Sequence, residues 1–267
     1  MNERLGAILL DGNSELRRLA GIERTAFLGY PVDSVSIDDV FQFVELSISK
    51  NANSFVAVQN ANKIYLSDKY PKLKEIMSQA ALTLPENAMN IGMSLIGNRL
   101  KARNMGGVKV MEDLLGLANE RGWTVYFLGA TRDNLNKMIT QLGQDYWNLR
   151  IVGYRDGYFQ AGETEEIIRE IAALRPNLLF VGMGSPKQEF FIGENITRLN
   201  ANIAMGVGGS FNVFAGVEKQ APAWTKHGLE WLYRSIQDSS KLKRYLIVNS
   251  YFLYKVALHL AFNRGRR

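Results

Sequence analysis

The sequence predicts an α/β fold, a mostly parallel sheet flanked by helices, with a basic helical appendage at the C-terminus. Two observations carry the sheet. Between residue 27 and about residue 207, short apolar runs alternate with longer segments of helical period, as strands joined by crossover helices do. Glycine-rich loops follow two of those runs, at the strand ends where such sheets bind ligands. The third observation is charge. Residues 241–267 hold seven basic residues and no acid, and taking that +7 from the net +6 leaves the first 240 residues at −1. The chain divides accordingly into a leader (1–24), a main domain (25–237) and a basic appendage (238–267).

Taken in order, residues 1–24 mix acids, bases and glycine without a clear period and read as a leader. Phe27-Leu-Gly-Tyr-Pro-Val-Asp33 reads as a short strand. Asp33 or Ser36 is placed to cap a helix over Asp39–Ser49, whose apolar face is Val40, Phe43, Val44 and Leu46. Phe55–Val58 is an unbroken apolar run, hence a buried strand, and Gln59-Asn60-Ala61-Asn62 follows it as a polar turn. A helix over Ile64–Gln79 is interrupted near Pro71, because proline lacks the N–H that a helix interior needs. Leu82–Leu84 is a strand leading into Pro85-Glu86-Asn87-Ala88. Gly106-Gly107 opens the next loop, before a helix at Val108–Arg121. Strands at Thr124–Gly129, Leu149–Gly153, Asn177–Gly182 and Ile203–Val207 then alternate with helices at Arg132–Gly143, Glu163–Leu174 and Phe190–Leu199. A helical C-terminal part begins at Gly228–Ser235. The arrangement is Rossmann-like, but no Gly-x-Gly-x-x-Gly turn follows the first strand, which argues against a nicotinamide enzyme such as an epimerase or dehydrogenase.

Composition narrows the chemistry. With no cysteine there is no disulfide framework, thiolate nucleophile or Cys-ligated metal. Two histidines, His227 and His259, give little basis for a histidine metal site or a Ser-His-Asp triad. No metal ligand set and no cofactor is expected. The first thirty residues carry acids and lack an apolar core segment, so no secretory signal is expected. Basicity confined to the tail argues against nucleic acid, which favours a basic stripe across the fold. It points instead to an anionic membrane surface.

Three strand-end segments hold the candidate site. Gly182-Met-Gly184-Ser185-Pro-Lys187-Gln188-Glu189 follows a strand and opens a helix. Its glycines permit close backbone approach, free N–H groups at a helix start attract phosphate, and Lys187 adds charge. Gln188 and Glu189 are placed to hydrogen-bond a base, ribose or sugar. Gly206-Val-Gly208-Gly209-Ser210-Phe-Asn212 follows the next strand and is a candidate nest for a diphosphate; glycines can equally be loop packing. Pro85-Glu86-Asn87 puts a carboxylate at a strand end, a candidate general base or a solvated loop acid. Asn60 and Gln59 either orient a hydroxyl or close a turn.

These motifs, with Ala221-Pro-Ala-Trp224 and Gly228-Leu-Glu-Trp231-Leu-Tyr-Arg234, resemble the WecG/TagA/CpsF glycosyltransferases (glycosyltransferase family 26) over roughly residues 26–245. Tyr126–Gly129 and Asp156–Phe159 are supporting matches. The resemblance implies an inverting, metal-independent transfer from a UDP-sugar to a polyprenyl-diphosphate-linked sugar. The reaction takes place at the inner face of a bacterial plasma membrane and feeds surface polymers. It implies Glu86 as base in place of the family's Asp in Pro-Asp-Gly, and Asn60 as the matching residue of Thr-x-Asn-x-Glu, here Val58-Gln59-Asn60-Ala61-Asn62. Gly107-Val-Lys109 stands where the family has Gly-x-Asp, and Arg103 is the basic residue expected before that loop. Gln59, Asn87, Arg103, Gly184, Ser185, Lys187, Gln188, Glu189, Gly208, Gly209, Ser210 and Arg234 are the expected substrate-binding set. Lys241, Lys243 and Arg244 are expected at the membrane and acceptor. The chain has no Asp-x-Asp. A non-catalytic UDP-sugar or lipid-binding partner of the same machinery is the alternative. The donor sugar, and whether copies associate as a homo-oligomer, are left open.

The tail itself allows two readings. Tyr245–Phe262 is eighteen mostly apolar residues, the short limit for a span. Lys255 near its centre costs about 2.5–3.5 kcal/mol on insertion, and bases flank both ends. An interfacial or docked helix is expected rather than a span.

Overall fold

The structure is a computed structural model that describes residues 12–97, 100–101, 105–219 and 242–263. Its centre is a six-stranded parallel sheet. Residues 12–19 form a helix, α1, where the sequence shows no period; Leu16 on it and Ala20 just after it enter the core. Next comes an antiparallel hairpin of β1 (Glu23–Phe27) and β2 (Tyr30–Ser34). The expected single strand over Phe27–Asp33 is therefore corrected: Leu28 and Gly29 both take positive φ (54° and 81°) and reverse the chain, as a two-residue hairpin turn requires.

The remaining order is α2 (Ile37–Ser49), β3 (Ser54–Gln59), α3 (Ala61–Lys69), α4 (Pro71–Ser78), β4 (Leu82–Pro85), α5 (Asn87–Leu95), α6 (Gly107–Arg121), β5 (Thr124–Gly129) and α7 (Arg132–Asp145). It continues through β6 (Arg150–Arg155), α8 (Thr164–Leu174), β7 (Leu178–Gly182), α9 (Lys187–Leu199), β8 (Ile203–Gly206), α10 (Ser210–Phe214) and α11 (Leu242–Asn263). Ser36 caps α2 in a reciprocal pair with Asp39. Asp33 does not cap it: its carboxylate accepts both Arg24 donors at 2.7 Å and the Thr83 N–H at 2.6 Å. That fastens the hairpin beside β4. Pro71 starts α4 at its first turn, where the missing N–H is harmless.

Strand order is β4-β3-β8-β7-β5-β6. Side chains alternate with period two between the faces. Val56, Val58, Phe127, Phe180 and Met205 pack with α2, α6 and α7. Phe55, Ala57, Tyr126, Leu179 and Ala204 pack with α4, α8 and α9. A third cluster joins Phe27, Tyr30 and Val32 of the hairpin to α3, α5 and α11. The C-terminal helix docks there through Val248, Phe252 and Val256, spaced by four along one face.

Candidate active site

Because β4, β3, β8 and β7 are adjacent and parallel, their C-terminal ends open on one edge of the sheet. The segments singled out by sequence therefore meet there. Strands lie about 4.8 Å apart, so Glu86 and the loop after β7 are three spacings, roughly 14 Å, apart. The Asn60 turn and the loop after β8 lie between them.

Glu86 is the N-cap of α5. Its N–H donates to the Gln59 carbonyl at 3.0 Å, and its own carbonyl accepts the Met89 N–H at 2.9 Å. The backbone carrying the carboxylate is thus fixed to the end of β3. The side chain is half-buried, and a helix N-terminus favours a negative group. Asn87 begins α5 and buries a side-chain nitrogen with no partner among the described residues.

Asn60 caps α3: its Oδ1 accepts the Lys63 N–H at 3.0 Å. One lone pair of the amide oxygen is therefore engaged by the backbone, which leaves its second lone pair and the NH2 end to orient a substrate. Gln59 is 0% exposed, with both amide atoms lacking a partner among the described residues. It is enclosed at the C-terminal end of β3.

The loop after β7 passes through Gly184 at φ 75° and a cis Ser185–Pro186 bond into α9. Glu189 is 0% exposed and Gln188 1%. Glu189 Oε1 accepts from Ser185 Oγ at 3.1 Å, Gln188 Nε2 at 2.7 Å and Lys63 Nζ at 2.9 Å. Gln188 Oε1 accepts the Gly208 N–H at 2.9 Å. Position 206 must be glycine for this: a Cβ there would stand 2.7 Å from Gln188 Nε2.

Several expected roles change accordingly. Gln188 and Glu189 are enclosed and hold the two loops to each other; they do not line the crevice. The Gly208 N–H is engaged by Gln188, which leaves Gly184, Ser185 and Gly209 as the candidate backbone donors among the expected set. Ser210 is buried and its hydroxyl donates to Val207 O at 2.7 Å, closing the turn. Lys187 Nζ donates to Gly157 O at 3.0 Å and lies 4.7 Å over the Phe159 ring, so the Asp156–Phe159 segment is its cradle. Lys109 is exposed and pairs with Asp113 one turn along its own helix. Arg103, Trp224, His227, Trp231, Arg234 and Lys241 lie outside the described residues; Lys243 and Arg244 are exposed on α11. Lys63 was missed from sequence. Its one signal was a basic residue three positions after the capping asparagine.

The sheet edge thus carries a carboxylate at the end of β4 and two glycine-containing loops after β7 and β8, an arrangement suited to group transfer. The chain belongs to the glycosyl transferase WecG/TagA/CpsF family, whose family model matches residues 25–266. It is a glycosyltransferase. A relative from Bacillus subtilis (strain 168) is 32% identical over 208 residues, covering 77% of this chain and 80% of its own. One from Bacillus spizizenii is 31% identical over 222 residues (82% and 85%). One from Staphylococcus aureus (strain MW2) is 32% identical over 223 residues (79% and 87%). All three are named N-acetylglucosaminyldiphosphoundecaprenol N-acetyl-beta-D-mannosaminyltransferase.

Proposed function

We propose that the protein transfers a sugar from a UDP-sugar to a polyprenyl-diphosphate-linked sugar, with inversion, at the inner face of a bacterial plasma membrane. The observation that carries this is the convergence of Glu86, Asn60 and the two glycine loops on one sheet edge. Glu86 removes the acceptor hydroxyl proton as the oxygen attacks the anomeric carbon. The sugar bridges from Glu86 toward the loops, where Gly184, Ser185 and Gly209 present N–H groups to the leaving diphosphate. Fixed donors aimed at developing charge supply a large share of such catalysis. The relatives' names point to UDP-N-acetylmannosamine and N-acetylglucosaminyl-diphospho-undecaprenol as the first pair to test.

The outward face of α11 supports the membrane reading. Leu246, Leu253 and Tyr254 are 50%, 61% and 59% exposed, on the side opposite Val248, Phe252 and Val256. The helix is long and apolar enough to cross a membrane (residues 242–262, mean hydropathy 1.2). With one side docked on the domain, it suits lying in the interface, with Lys243 and Arg244 toward anionic headgroups.

The test is UDP release with a panel of UDP-sugars. Release that requires the lipid-linked acceptor and withstands chelator supports the proposal. Release without acceptor, or loss in chelator restored by magnesium or manganese, contradicts it. Ordinary UDP binding with no transfer to any acceptor favours the non-catalytic alternative.

A further inference from the structure

Lys63 is a lysine where stability alone does not call for one. Its side chain is 4% exposed and that of Glu189 0%. A buried ion pair is often no more stabilising than well-packed apolar residues of the same volume. What this pair does have is connections. Its carboxylate oxygen collects Lys63, Ser185 and Gln188; Gln188 in turn accepts the Gly208 N–H; and the Lys63 N–H is the bond that Asn60 caps. One ion pair therefore joins the ends of β3, β7 and β8. Bonds to ionised groups are about twice as strong as neutral ones, so the junction resists rearrangement more than a neutral network would.

We propose that Lys63 is a positioning residue for the donor nucleotide: paired with Glu189, it ties the Asn60 turn to both glycine loops and holds their backbone donors toward the diphosphate. This rests on the UDP-donor reading. Lys63 reaches no reacting atom, so its removal loosens donor binding rather than stopping the chemical step.

K63M alone strands a buried carboxylate and risks unfolding. The test therefore uses the double variant K63M/E189Q, which removes both charges, beside wild type and K63M. Melting temperature, UDP affinity by calorimetry and donor KM and kcat are measured on the full chain. The double variant is expected to melt within about 3 °C of wild type, because loss of both charges leaves none unpaired. Its UDP Kd and donor KM are expected to rise together by about tenfold, with kcat reduced less than about threefold, as when binding common to ground and transition states is lost. A folded double variant whose Kd and KM stay within about twofold of wild type overturns the proposal. So does a loss confined to kcat. Wild-type protein that does not bind UDP overturns the donor reading itself, and this inference with it.

Discussion

Asp68 accepts hydrogen bonds from the Tyr30 and Tyr251 hydroxyls and from Lys255, and so fastens α11 to α3 and the hairpin. Burial alone would raise its pKa, but the three hydrogen bonds and the Lys255 charge outweigh burial and hold the carboxylate below its ordinary value. Its stabilisation is therefore present above the unfolded value of about 3.9 and is lost as pH falls through the depressed folded value. Tyr251 moves the other way. Its bond to Asp68, then burial, push it up to about 12, so its contribution is present below about 10 and lost as pH rises through the folded value. D68N is expected to destabilise by about 1–2 kcal/mol at neutral pH. In thermal melts the gap between wild type and D68N should narrow below about pH 4; a gap independent of pH contradicts the assignment. At the crevice, G206A should displace Gln188 from Gly208 and weaken UDP binding by about tenfold in calorimetry, the effect of losing roughly one buried hydrogen bond. Side-chain chemistry made Glu86, Asn60 and the glycines candidates in the sequence. It did not reveal that Gln188 and Glu189 face inward, because burial depends on which helix lies against which strand.

The elements most readable from sequence were the strands with two buried faces, such as β7, and the helices with an apolar stripe, such as α2. α5 was not readable. Its first residues read as a strand-end loop, and its apolar residues surround the helix: Met89 and Met93 are buried while Ile91 and Leu95 are exposed. Packing against the hairpin and α11 makes it a helix. Gly92 is the point of closest approach, where a Cβ would stand 2.5 Å from Phe27 Cζ and 3.1 Å from Phe252 Cζ. Phe27 is fully buried and has no room to withdraw. G92V should therefore destabilise by about 1–3 kcal/mol. Because Glu86 is the N-cap of α5, the variant should also lower kcat, while UDP affinity changes little. Wild-type kcat in G92V would show that α5 does not position the carboxylate.

Across the whole molecule, alternation along the chain predicted a parallel sheet, but the order β4-β3-β8-β7-β5-β6 depends on strand pairing that no local pattern encodes. That order is what brings Asn60, Glu86 and the two loops to one edge. Charge arithmetic pointed to the tail as a membrane element and its length and flanks to an interfacial or docked helix; which residues of α11 dock, Val248, Phe252 and Val256, emerged only from the fold. Removing the tail would also strip core contacts from Phe27 and Met89, so the sharper probe of membrane association is the outer face. L246E/L253E should abolish binding to anionic vesicles and leave the melting temperature near wild type. Wild-type binding should be largely released by high salt, since each base is worth about 1 kcal/mol near the surface and is screened beyond about 8–10 Å. Vesicle binding unchanged in the variant contradicts the interfacial reading. The central claim, that this sheet edge is a glycosyl-transfer site with Glu86 as its base, is tested most directly by E86Q, measured for turnover and UDP affinity together. The expected result is a fall in kcat of about 10²–10⁴ with UDP binding near wild type. Normal turnover in E86Q would place the base elsewhere and contradict the account.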